Sequence, residues 1–132
     1  MQTLLRIEDR VWEEVLLEGE EPVALCRCVL PEFSRLESRA QDRMNHFYRH
    51  GEEQFRRWCR TVLLRRAGAL RREARAVSHP FAPWEVSLTY AAEPPEGEAL
   101  EVALFYRREQ GGRVLYADRQ ALRWDLKSGF PT

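Results

Sequence analysis

A chain of 132 residues suits a single domain, 1–132, and can bury a core without a metal or disulfide staple. Its 44% hydrophobic content, with four Trp, six Phe and four Tyr, excludes a disordered chain. Twenty-one basic and 21 acidic side chains cancel, which excludes a global field that would draw it to nucleic acid or an anionic membrane.

Residues 3–17 mix apolar and acidic positions with β-formers and read as a strand. The turn EGEEP follows, and then VALCRCVL (23–30), an apolar run between Pro22 and Pro31 that reads as a second strand of a hairpin. Cys26 and Cys28 share a face of that strand, where thiols behave as small apolar groups. With Cys59 the cysteine count is odd, which argues against a disulfide framework, and no second pair exists to close a zinc site.

PEFSRLESRAQ announces a helix, with Ser34 and Glu37 at the spacing of a capping box. Apolar positions recur at Leu36, Ala40, Met44, Phe47, Phe55, Trp58, Val62, Ala67, Leu70, Ala74 and Val77, in helical steps of three and four. Unbroken, residues 34–78 would span roughly 65 Å. A break is therefore expected near Arg49–Glu53, where Gly51 sits, or near Ala67–Ala69. Pro80 and Pro83 end the helix. WEVSLTYAA, ALEVALFYRR and RVLYADRQALRWDL then alternate as strands, and Gly111-Gly112 suits a tight hairpin. The predicted fold is α+β, in the order β-β-α-β-β-β, with the helix laid across one face of an antiparallel sheet.

Charge is unevenly placed. Residues 55–76 hold eight arginines against Glu73, a net of +7, and residues 1–22 hold seven acids against two arginines, a net of −5. Either the two segments face each other in one fold, or one of them faces a partner. Twenty of the 21 basic residues are Arg, the exception being Lys127.

Few residues point to chemistry. His46 and His50 are four apart on the helix, at metal-chelating spacing, but no third ligand accompanies them and no metal or cofactor is expected. Cys59 lies among arginines yet sits beside Trp58 on the apolar stripe, and is read as a buried neutral thiol. No nucleophile–base pair and no phosphate-binding glycine motif is present, so an enzyme is not expected.

The wording from residue 28 to 130 resembles the DUF3298 family. PEFSRLESRAQDRMNHFY is similar to that family's segment in which a proline leads into a helix bearing an Asn and then an aromatic, here Pro31, Asn45 and Phe47. The last three strands resemble its strand, strand, glycine loop and final strand ending Asp-x-x-[Ser/Thr]-Gly, here Asp125, Ser128 and Gly129. Members include the extracellular domain of a lysozyme-sensing anti-sigma factor, and related domains accompany peptidoglycan deacetylases. The resemblance implies a non-catalytic α+β binding module. This chain departs from the pattern at the loop, where Tyr106 and Gly111-Gly112 stand without the usual Gly-Gly-Ala-His-Gly, and it ends earlier, at Thr132.

The expectation is a non-catalytic module that binds a protein partner, or itself, through an open sheet face or an uncovered edge. Tyr106, Tyr116 and Trp124 are its candidate contacts on the strands, and Arg65, Arg72 and Arg75 on the helix. The alternative is a nucleic-acid-associated protein that uses the arginine helix 55–76. No run approaches the 18 or so apolar residues of a membrane span, and MQTLLRIEDRVW lacks an export signal's apolar stretch, which points to the cytoplasm.

Overall fold

Strand β1 (Arg6–Glu18) turns through Gly19-Glu20 into β2 (Glu21–Ser34) in a computed structural model that describes residues 4–132. Thr3, the first residue of the expected strand, lies outside the described residues. Gly19 has φ 65°, the positive value that the first central position of a two-residue hairpin turn requires. Helix α1 (Ser38–Trp58) follows, then a five-residue π-helical segment (Cys59–Leu63) and helix α2 (Leu64–Ala76). Strands β3 (Trp84–Ala92), β4 (Ala99–Gln110) and β5 (Arg113–Asp125) complete a five-stranded sheet in the order β1-β2-β3-β4-β5.

The sheet is mixed rather than wholly antiparallel: β2 and β3 run parallel, from Ala24 beside Trp84 to Cys28 beside Leu88. The helical crossover causes this, because it returns the chain to the end of the sheet where β2 began. The other neighbours are antiparallel. Gly111 (φ 56°) and Gly112 (φ 79°) join β4 to β5, both with the positive φ of a type I′ turn.

The capping expectation is half right. Ser34 ends β2 and caps nothing, while Glu37 is itself the N-cap, its carboxylate accepting the Ala40 amide at 3.0 Å. Arg35 (φ 63°) makes the corner between strand and helix, which displaces the helix start by one turn. Neither expected break occurs. Gly51 lies inside α1 and Ala67–Ala69 inside α2, and the irregularity is the π segment between them.

The buried stripe also differs from the expected one. Ala40, Met44, Tyr48, Phe55, Cys59, Leu63 and Ala67 are buried, whereas Phe47, Val62, Leu70 and Val77 are exposed. From Phe55 on, buried positions recur every fourth residue. At about 100° per residue such a row drifts by about 40° per step, and the wider π turn takes up part of the drift.

The core lies between this stripe and the helix-side face of the sheet, around Trp12, Leu16, Cys26, Cys28, Trp84, Val86, Leu100, Val102 and Trp124. Asn45, 5% exposed, staples the helix to β2: its Oδ1 accepts the Phe33 amide (2.7 Å) and its Nδ2 donates to the Phe33 carbonyl (2.9 Å). Trp124 Nε1 donates to the Tyr48 hydroxyl at 2.7 Å, so this buried polar pair is satisfied across the core.

Candidate functional site

The arginine helix lies along the acidic hairpin. Arg60 grips Glu14 in a two-pronged bond (2.9 and 3.1 Å), Arg71 reaches Glu18 and Glu21 (both 2.8 Å), Arg72 reaches Glu18, and Arg75 reaches Glu21. The Arg71 bond, then Arg72, holds the Glu18 carboxyl below the usual range despite partial desolvation, and Arg75 does the same for Glu21. Gly68 makes room for this network, since a β-carbon there would collide with the Glu18 carboxylate. Half of the eight arginines are thus matched within the chain. Among the described residues, Arg57, Arg65 and Arg66 have no carboxylate within ion-pair distance, and Arg65 and Arg66 are exposed.

The three thiols are core. Cys26, Cys28 and Cys59 are all buried and unbonded. Burial pushes Cys28 up to about 12, and Cys59 is raised by its hydrogen bond with Cys26 and by burial. A thiol held in its neutral form is a poor nucleophile. His46 and His50 stack with ring centroids 6.3 Å apart at the rim of an open groove of about 590 Å³, floored by Phe47, Trp124 and Phe130. No group of three metal-ligating side chains occurs among the described residues. On the opposite sheet face a shallow trough of about 410 Å³ is crossed by the Glu13–Arg27 pair and edged by Arg107 and Glu109.

The motif residues of the resemblance turn out to hold the fold together. Pro31 is fully buried, and Asn45 is the staple described above. Asp125 Oδ2 accepts the Ser128 amide (3.1 Å) and its carbonyl accepts the Gly129 amide (2.7 Å), closing a turn after β5. The Ser128 bond keeps the Asp125 carboxyl below its ordinary range. Gly129 (φ 75°) lies directly against Ala40 of α1: a β-carbon there would fall 2.5 Å from the Ala40 Cα. Arg43 donates to the Ser128 carbonyl (2.6 Å) and lies over the Phe130 ring, which ties this turn to the helix.

A different arrangement occurs where the helix runs off the sheet. The first nine residues of β5, 113–121, are exposed, because β4 and β5 project as a blade past the helix and this part of β5 has no neighbour beyond it; the C-terminal residues 130–132 bind only its far end, at 123–125. On the helix-side face of the blade, Trp58, Tyr106 and Tyr116 form a chain, with centroids 5.9 Å and then 5.8 Å apart. The Arg108 guanidinium lies 5.5 Å from both the Tyr116 and the Trp84 ring centroids. Arg108 Nε and Trp84 Nε1 are buried donors with no acceptor. Burial pushes the Tyr106 hydroxyl up to about 12, with the Arg108 and Arg66 charges opposing.

The six candidate residues therefore separate. Tyr106 and Tyr116 come together on the blade, Tyr116 at 48% exposure. Trp124 is 2% exposed and belongs to the core. Arg72 and Arg75 pair with the hairpin acids, and Arg65 stands alone on the solvent side. Arg108, Arg66 and Trp84 escaped sequence reasoning. A lone arginine in an alternating strand has no periodic signal, and only strand pairing places Arg108 opposite Tyr116.

No family model matches the chain, and no curated protein matches it. Its fold is shared with two solved structures of the DUF3298 family. A protein from Bacteroides fragilis NCTC 9343 superimposes with a TM-score of 0.68 at 12% identity, over 98% of this chain and 59% of that one. A protein from Pseudomonas aeruginosa PAO1 gives 0.54 at 11% identity, over 97% of this chain and 55% of that one. The chain spans a little over half the length of each. At these identities the likeness is one of fold, and the fold of this chain is the DUF3298 fold.

Proposed function

We propose that the chain is a non-catalytic module that binds a protein partner, or a second copy of itself, through the β4–β5 blade. The observation that carries this reading is the aromatic chain that runs from half-buried Trp58 and Tyr106 out to exposed Tyr116, beside a strand edge unpaired over 113–121. Trp, Tyr and Arg are the side chains that dominate protein interfaces, and a free edge offers main-chain hydrogen bonds to an added strand. The burial of all three thiols, with Cys28 and Cys59 held in their neutral forms, supports a binding role over a chemical one. The nucleic-acid alternative is the weaker, because Arg60, Arg71, Arg72 and Arg75 already have carboxylates. Three reduced thiols fit a cytoplasmic setting.

The test is site-specific photocrosslinking in the cells that make the protein, with p-benzoylphenylalanine in place of Tyr116 or, as control, of Val11 on the opposite edge. A discrete adduct at position 116 and none at 11 is the expected result, and mass spectrometry of the adduct separates a partner from a second copy. Adducts at position 11 alone, or none at 116, would overturn the reading.

A further inference from the structure

Resting on that reading, we infer that the blade's partner is an acidic peptide segment, which adds in extended form along β5 as a sixth strand and sets its carboxylates against the arginines of this corner. Three observations carry the inference. The first is the edge. Over residues 113–121 β5 pairs with β4 alone, its far end at 123–125 being bound by the C-terminal residues 130–132, and Val114, Leu115 and Tyr116 are 45%, 41% and 48% exposed, so this stretch is open at its edge and on both faces. An added strand satisfies the outward backbone groups, and its alternate side chains fall on the helix side or the open side.

The second is the excess of donors. Arg108 is stacked between Trp84 and Tyr116, its buried Nε has no acceptor, and the buried Trp84 indole N–H has none. Orphaned buried donors cost free energy unless an acceptor arrives. Arg66 is exposed on the helix flank with no carboxylate within ion-pair distance among the described residues, and its charge opposes the rise of the Tyr106 hydroxyl. Guanidinium groups held by aromatic faces are suited to planar carboxylates.

The third is the charge of the surroundings. β5 carries Arg113, Arg119 and Arg123, and Arg119 lies over Phe105 on the blade's other face. Against these stand Asp118, cross-strand from Tyr106, and Glu101, cross-strand from Arg123; Asp125 is engaged in its turn and Glu109 is already paired with Arg107, which leaves Arg113 and Arg119 on the open stretch. The opposite edge differs in sign: β1 holds five acids and two arginines. An acidic strand is therefore drawn to β5 and repelled from β1, which gives the addition a side.

The experiment uses the full chain and three fluorescein-labelled probes: a ten-residue peptide of alternating Glu and Val, its Gln/Val counterpart, and a ten-nucleotide single-stranded DNA. Anisotropy gives affinities, and amide hydrogen exchange locates binding. The Glu/Val peptide should bind about tenfold more tightly than Gln/Val, the worth of one charge-assisted pair. That advantage should vanish at about 0.5 M salt, and exchange should slow along Arg113–Ala121. The double variant Arg66→Gln/Arg108→Gln should erase the advantage while Gln/Val binding stays unchanged. Should that variant fold poorly, the exposed pair Arg66→Gln/Arg113→Gln should still reduce it. Equal binding of both peptides at β5 would overturn the acidic partner and leave the edge reading intact. Binding of the DNA with no binding of either peptide would overturn the inference in favour of a nucleic acid. If neither peptide protects β5, the inference fails, whatever position 116 crosslinks.

Discussion

The molecule has two hairpins of similar length and opposite use. The β1–β2 hairpin lies under the helix, and its Glu14, Glu18 and Glu21 are engaged by Arg60, Arg71, Arg72 and Arg75. The β4–β5 hairpin extends past the helix, and its arginines and tyrosines meet one another but no acid of the helix. Both are rich in charge and in aromatic or branched residues, so composition does not tell them apart. What separates them is cover. Where α2 overlies the sheet, charge is neutralised and apolar faces are buried. Where it does not, the same residue types remain available to something outside the chain. A run of eight arginines draws attention in the sequence, and in the fold it is the better satisfied of the two regions.

The comparison is broken most severely by changes on the covered side. Gly129→Val places a side chain into the Ala40 backbone at a positive φ. It should cost about 4 kcal/mol or more, read as a large fall in the urea midpoint. Asn45→Ala strands the Phe33 amide and carbonyl in the core. It should cost about 3 kcal/mol, visible as a fall of roughly 10 °C in Tm.

A smaller effect is expected at the arginine–glutamate seam. Glu18→Gln with Glu21→Gln should lower Tm at neutral pH by less than Asn45→Ala does. Folding depresses both carboxyls, so their contribution is complete above the unfolded carboxyl range near pH 4.5 and lost as pH falls through the folded values. The Tm gap between wild type and variant should therefore be constant from about pH 6 to 8 and close below about pH 4. A gap that persists at low pH would mean the acids act through packing instead of charge. The same variant frees Arg71, Arg72 and Arg75, and at low salt it should retain DNA that the wild type does not.

The thiols sharpen the covered side differently. A disulfide reagent at pH 8 should find no fast-reacting thiol in the native protein and three in denaturant, since Cys26, Cys28 and Cys59 are buried and Cys28 is pushed up to about 12. The smallest effect belongs to the blade. Tyr116→Ser removes an exposed ring and should change stability by no more than about 0.5 kcal/mol. A large loss there would mean the aromatic chain serves the fold and not an interface.

Much of this architecture is legible in the residues. Alternation marks the last three strands, an apolar run between two prolines marks β2, Gly111-Gly112 marks the last turn, and the order of elements leads to a helix across a sheet. The parallel pairing of β2 with β3 follows from the crossover, but it needs the helix's length and direction, which periodicity alone does not supply. The buried stripe is misread because apolar residues occupy two helix faces: Phe47 and Val62 look as core-like as Tyr48 and Leu63, and only the way the helix seats on the sheet decides between them. The resemblance to DUF3298 points at Asn45, Asp125 and Gly129, and these prove to be joints of the fold. The blade is harder to see. Tyr106 and Tyr116 are ten residues apart in the sequence, and Arg108 joins them only through strand pairing.

The π segment also sets how this chain tolerates a change of length. It acts as a one-residue insertion that the helix has absorbed between Cys59 and Leu63. Deleting a single residue there, such as the exposed Thr61, would restore an ordinary helical turn and leave everything after it in nearly the same rotational register. Leu63 and Ala67 would stay toward the core, and Arg71, Arg72 and Arg75 toward Glu18 and Glu21. A residue removed from α1 has no such bulge to take it up: it would rotate all that follows by about 100° and unfasten the acidic hairpin.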